Sequence, residues 1–190
     1  MVEALNKFDV AERQLNQAIR LFFEGGDSVS IHTLAEAASQ ILYDLKPHYG
    51  TTSMFRDSDW IKDEFRKEWI AYLIKARNFF KHANKDPLAV LEFKEKLNLF
   101  SIIDSLSMYT QIKKAWTPES MAFMSWFSLN HPRYLKKDGQ FGQKIEEFRR
   151  NMMAMPSNDL ASWAEFIRAI RAGEALAPGI SLAPGLPKGN

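Results

Sequence analysis

The chain has 190 residues and a mass of 21.9 kDa, with 46% hydrophobic and 25% charged residues; this is the balance of a globular chain and not of a disordered one. Twenty-five basic residues against twenty-three acidic ones leave a net charge of +2, too mild for bulk charge to mark a nucleic-acid binder. Cysteine is absent, which excludes disulfides, thiolate metal sites and a catalytic thiol and fits a reducing cytoplasm.

No apolar run approaches the roughly 18–20 residues of a spanning helix, and the N-terminus, acidic early and without an apolar stretch, lacks the pattern of a secretory signal. The expectation is therefore a cytoplasmic chain with no membrane partner. Helical periodicity dominates. A first helix is expected from Asp9, with Asp9 and Glu12 at capping-box spacing and a stripe of Val10, Leu15, Ala18, Ile19, Phe22 and Phe23. Gly25 and Gly26 stop it. Asp27 or Ser28 opens a second helix with Ile31, Leu34, Ala35, Ala38, Ile41, Leu42 and Leu45 on its apolar face, ended by Pro47 and Gly50.

The stretch 48–57 reads as a loop. Ser58 then caps a long third helix through Trp60, Ile61, Phe65, Trp69, Leu73, Ala76 and Phe80, ending near Asn84. Asp86 and Pro87 mark a fresh start, and a fourth helix carries Leu91, Leu97, Leu99, Ile102, Ile103, Leu106 and Tyr109 to about Lys114. Strand signals are weak throughout. These four helices and their short connections predict an all-α, up-and-down antiparallel bundle over 1–115. An extension over 116–175 is expected to pack on it through about three helices: one opened by Thr117 and Pro118, one over 141–154, and one over 158–172 capped by Ser157. The Pro/Gly-rich tail 176–190 reads as flexible.

The stretch richest in chemistry is Lys75-Ala76-Arg77-Asn78-Phe79-Phe80-Lys81-His82-Ala83-Asn84-Lys85. An imidazole exchanges protons near neutral pH, which suits His82 to act as general base or acid. Arg77 offers a permanent charge and a fork of donors to a phosphate. Asn78 is placed to support the histidine, and Lys81 and Lys85 add a positive field toward RNA. Positions five apart on an unbroken helix point about 140° from each other, so Arg77 and His82 diverge unless the helix ends or kinks between them. Asn78 and His82, four apart, share a face.

Arg77 followed by Asn78, with His82 five positions on, between the third and fourth helices of a small bundle, resembles the HEPN superfamily (higher eukaryotes and prokaryotes nucleotide-binding). The likeness to bacterial HEPN-like proteins spans roughly 9–114, from the first helical hairpin onward. It implies a metal-independent endoribonuclease in which the 2′-hydroxyl of RNA attacks the adjacent phosphorus, with Arg77 and His82 catalytic, Asn78 supporting, and no cofactor. It further implies a homodimer that joins two motifs in one cleft, and a toxin or defence effector held by an antitoxin-type protein partner. The alternative is a non-enzymatic helical bundle that binds a protein or a nucleotide. His32 and Glu36, four apart on the second helix, are either a solvated pair or polar lining beside the motif, and two ligands alone do not make a metal site. His48 reads as a loop residue and His131 as a helix-end residue. Asp57, Asp59, Asp63 and Glu64 read as acids gathered at a helix start.

Overall fold

A computed structural model describes residues 2–59, 61–84, 86–135 and 159–173, together with Gln143, Glu146 and Arg150. The described residues are all-α and contain no strand. The helices are α1 (Lys7–Phe23), α2 (Ser28–Asp44), α3 (Lys46–Tyr49), α4 (Asp63–Leu73), α5 (Lys75–Lys81), α6 (Leu97–Lys113), α7 (Pro118–Asn130) and α8 (Leu160–Ala172), with a 3-10 turn at Pro132–Tyr134. The chain divides into two compact units. The first holds Met1–Ala18 and Asp27–Ile112, the second Ile19–Gly26 and Lys113–Asn190. None of the described helices is long and apolar enough to cross a membrane.

In the first unit, α1 begins three residues before the expected capping box. The Asn6 side chain accepts from the Asp9 N–H at 2.9 Å while Asp9 accepts from the Asn6 N–H at 3.2 Å, so the reciprocal cap sits at 6 and 9. Glu12 instead accepts from the Tyr109 hydroxyl of α6 at 2.8 Å, and Phe8 stacks on the same tyrosine ring. Asp27 caps α2 by accepting from the Ser30 N–H at 2.7 Å. The chain reaches that cap through Gly25, whose φ of 67° is left-handed. Pro47 does not terminate α2 so much as open α3, and Gly50, at φ 65°, closes that turn.

The largest departures lie at 58–96. Ser58 caps no helix; α4 starts at Asp63 after an uncapped Lys62. Arg66 reaches back to stitch the preceding loop, donating to the carbonyl oxygens of Arg56, Ser58 and Ile61 at 3.1–3.3 Å. The expected continuous third helix is two pieces, because Ile74 leaves helical geometry at φ −92°, ψ 4°. No residue of α4 is buried, and Phe65, expected in the core, is 53% exposed. Trp60 lies outside the described residues. Pro87 starts no long helix either: 87–96 forms turns and irregular backbone, and α6 begins only at Leu97. Leu88 and Val90 are almost fully exposed; without an apolar face to bury, helical propensity alone does not hold a short segment.

In the second unit, α7 is capped by the expected Thr117, whose side chain and that of Ser120 bond each other's backbone N–H. Every residue from Glu119 to Ser128 is buried, the signature of a helix covered on all sides. Phe22, Phe23, Phe123 and Trp126 form an edge-to-face cluster, and Phe23 stacks on Trp163 of α8. The fully buried Glu119 is bonded by Arg20 and Arg171. The cap of α8 is Asp159, which accepts from the Ala161 N–H at 3.1 Å, in place of Ser157, which lies outside the described residues as do most of 141–154 and the tail 176–190.

Candidate functional site

The first unit carries charge in its interior. On α2, His32, Glu36 and Ser39 are buried; on α6, Asn98, Ser101, Asp104 and Ser105 are buried; from the loop between α3 and α4 come buried Ser53 and Arg56. Polar residues at i, i+4 and i+7 on α2 fall on one helix face, and those of α6 repeat at three and four. The two helices meet along these stripes. Ser101 Oγ donates to Glu36 Oε1 at 2.7 Å, Ser105 Oγ donates to the Ala35 carbonyl at 3.1 Å, and Ser39 Oγ donates to Asp104 Oδ2 at 3.4 Å.

Arg56 is the cation at the centre. It donates to Ser39 Oγ at 3.1 Å and Gln40 Oε1 at 3.2 Å, lies 3.7 Å from Glu36 Oε2, and covers the Tyr43 ring at 4.9 Å. The single Ser53 hydroxyl proton is shared between the two Asp104 oxygens, at 2.7 and 2.9 Å, and Asp104 also accepts from the Phe55 N–H at 3.3 Å. Burial drives the Asp104 carboxyl above its ordinary value, against the Ser53 hydroxyl, Arg56 and the Phe55 N–H, which favour the ionised form. Burial also lowers His32, opposed by Glu36 and Asn98.

A cavity of about 230 Å³ opens onto this network. Its floor is His32, Glu36, Arg56, Ser101 and Asp104, and its walls include Phe55, Tyr72, Phe93 and Phe100. His32 and Glu36, one of whose expected readings was a solvated pair, are buried and do not pair with each other. His32 Nδ1 bonds Asn98 Oδ1 at 3.0 Å, and its ring meets Phe80 and Phe93 edge-on. His32 Nε2 and Glu36 Oε2 are fully buried without a hydrogen-bond partner, Oε2 lying in ion-pair range of Arg56 at 3.7 Å. Among the described residues, no group of three or more His, Asp or Glu side chains is placed to hold a metal ion.

The predicted motif is divided between two places. Arg77, half-buried, donates to Gln40 Oε1 and thus joins the edge of the buried network. Burial and the neighbouring Arg56 lower its pKa, with Glu36 and Asp44 opposing. Asn78 and His82 are exposed and line a separate depression with Ala71, Lys75, Phe79 and Asp86. His82 terminates α5, its N–H bonded to the Asn78 carbonyl at 3.1 Å. Within one chain, then, neither pocket is lined by both Arg77 and His82. Lys81 is exposed at the end of α5, and Lys85 lies outside the described residues.

Other expectations are corrected. Asp57 belongs to no helix start: it accepts from Lys46 Nζ at 2.7 Å, the Ser53 N–H at 2.9 Å and the Tyr43 hydroxyl at 3.3 Å, and so pins the loop that delivers Arg56. His48 sits in the short helix α3. His131 does end a helix, α7, and packs on the Trp126 and Phe127 rings. Arg56, Asp104, Ser53 and Ser101 went unread in the sequence. The available signal was polar residues at core spacing on two helices, Ser101, Asp104 and Ser105 among the apolar residues of α6. Compared with known protein families, curated proteins and solved structures, the chain matches none.

Proposed function

We propose that the first unit is a non-enzymatic receptor for a small molecule held in the cavity between α2 and α6. One observation carries this reading: a cavity of about 230 Å³ combines the buried polar residues His32, Glu36, Arg56, Ser101 and Asp104 with the aromatic residues Phe55, Tyr72, Phe93 and Phe100. Apolar walls with a few convergent polar groups are the usual composition of a ligand pocket, and the volume is below the roughly 300–1,000 Å³ of drug-sized sites. The occupant is one or two rings in size. Thermal denaturation of the full chain with a set of small ring compounds tests it. Ala76, buried at the cavity wall, is changed to Leu to reduce the space, with the fold checked by circular dichroism. Compounds should raise the wild-type midpoint and leave that of Ala76→Leu unmoved, since a ligand at 100 times its Kd adds about 2.7 kcal/mol. Equal shifts, or none, overturn the reading.

A second reading keeps the ribonuclease implied by the HEPN resemblance, with its toxin-like role. It is favoured by the depression at the end of α5, where His82 lies with Asn78, Lys75 and Asp86. An imidazole beside an ammonium and a carboxylate suits proton transfer at a phosphodiester. Because Arg77 turns to Gln40, this reading requires a homodimer whose second copy completes the cleft. RNA cleavage in the presence of a chelator, leaving cyclic phosphate ends and abolished in His82→Ala, supports it. Equal cleavage by wild type and variant removes it.

A further inference from the structure

One wall of the cavity is built differently from the rest. The other sides come from helices or from the loop pinned by Asp57, but Leu91, Glu92, Phe93 and Lys94 belong to the non-helical connector between α5 and α6. The backbone hydrogen bonds of this connector are local. The Ala89 N–H donates to the Asp86 carbonyl at 3.0 Å, and the N–H groups of Leu97, Asn98 and Leu99 donate to the carbonyls of Lys94, Glu95 and Lys96 at 2.9–3.2 Å. Among the described residues, no hydrogen bond or ion pair ties 86–96 to α2, α4 or α5.

Packing holds the connector instead, and most of that packing is one ring. Phe93 is half-buried, edge-on to His32 at 5.0 Å and to Phe80 at 5.1 Å between ring centroids. Leu91 is half-buried too, and every other residue from Asp86 to Lys96 is exposed. Leu88 and Val90, at 94% and 93% exposure, stay in water and gain nothing from the closed position. A segment with so few buried contacts, and no hydrogen bonds to its neighbours, opens at a small fraction of the free energy of global unfolding. Behind Phe93 lies His32, 1% exposed. Asn98 holds that imidazole: its Oδ1 meets His32 Nδ1 at 3.0 Å, while its Nδ2 donates to the Ser28 carbonyl at 3.0 Å. The floor therefore stays in place when the Phe93 ring leaves, and the local bonds at 94–97 put the hinge just before this fixed point.

We infer that 86–96 is a hinged strap over the cavity, latched by Phe93 against His32 and Phe80, and that its release opens the floor without unfolding the helices. The opening follows from packing alone; its use as a ligand entrance rests on the receptor reading above. Labelling of the full chain with diethyl pyrocarbonate at constant pH, read by peptide mass spectrometry, tests it. The reagent reaches His32 only when the Phe93 ring moves away, and the exposed His48 and His82 serve as references. Elastase cleavage after Val90 is the parallel measure, since proteolysis tracks the open population. Phe93→Ala should speed His32 labelling and cleavage by the same factor, about 10–100-fold, while Phe93→Tyr, which keeps the ring, stays within about threefold of wild type. The rates at His48 and His82 should not change. Urea well below the unfolding midpoint should leave the His32 rate nearly flat, because a local opening exposes little surface. A His32 rate unmoved by Phe93→Ala, faster labelling without faster cleavage, or a urea slope as steep as that of global unfolding overturns the inference. If it fails in one of these ways while Ala76→Leu still abolishes the shifts caused by ring compounds, the receptor reading stands. If the strap opens as expected but wild type and Ala76→Leu respond alike, the strap stands and its role as an entrance falls with the receptor reading.

Discussion

Removing the central cation should cost more than any one of its contacts suggests. Arg56, Glu36 and Asp104 are 6%, 6% and 4% exposed, so water reaches none of them well enough to screen a lone charge. Arg56→Met keeps much of the side-chain volume and deletes the guanidinium. It leaves two carboxylates facing each other across the interface of α2 and α6, and strips Ser39 and Gln40 of a donor. Breaking a buried ion pair from one side costs about 3–5 kcal/mol. With a urea m-value of about 2 kcal/mol/M, the unfolding midpoint followed by circular dichroism should fall by about 1.5–2.5 M. Adding Glu36→Gln, which neutralises one stranded carboxylate and still accepts from Ser101, should return about 0.5–3 kcal/mol. A midpoint shift for Arg56→Met below about 0.5 M, or a double variant no more stable than the single one, would falsify the claim that this network is held by charge.

The pH dependence of stability should carry two opposed slopes. Burial raises Asp104 above its ordinary 3.8, so its contribution is complete below that pH and drains away as pH rises through the folded value. Burial lowers His32 below its ordinary 6.5, so its contribution is complete above that pH and is lost as pH falls. Urea midpoints between about pH 4 and 8 should lose the first slope in Asp104→Asn and the second in His32→Phe; unchanged profiles in both variants would show that neither group titrates differently on folding. In the second unit, Phe123 is fully buried among Phe22, Phe23, Trp126 and Phe127. Phe123→Ala should cost about 3–5 kcal/mol by the same denaturation assay, and a loss under about 1 kcal/mol would mean that the ring cluster packs loosely.

Local physics made several features legible before any tertiary contact. Periodicity placed α1, α2, α7 and α8 to within a few residues, because their apolar stripes, Thr117 cap and glycine stop are encoded within a turn or two of chain. The geometry of α5 was readable in the same way. Asn78 and His82, four apart, share a depression, while Arg77, five residues before His82, turns elsewhere, as a step of about 100° per residue requires. Where local signals ran without a surface to bury against, they misled. The apolar pattern over 60–73 and the Pro87 start signal promised long helices, yet no residue of α4 is fully buried and Leu88 and Val90 stay in solvent.

The buried charge belongs to the other category. In sequence, His32 and Glu36 read first as a solvated pair, and Arg56 and Asp104 as two unremarked charges far apart in the chain. Their meaning depends on which face of α2 meets which face of α6, and on a loop pinned by Lys46 and Asp57 that inserts Arg56 between them. A sequence fixes the angular position of a side chain on its own helix, because that is set by backbone geometry. Whether that position faces water or another helix is a property of the assembled unit, and so are the desolvation and the pairing of the charged groups.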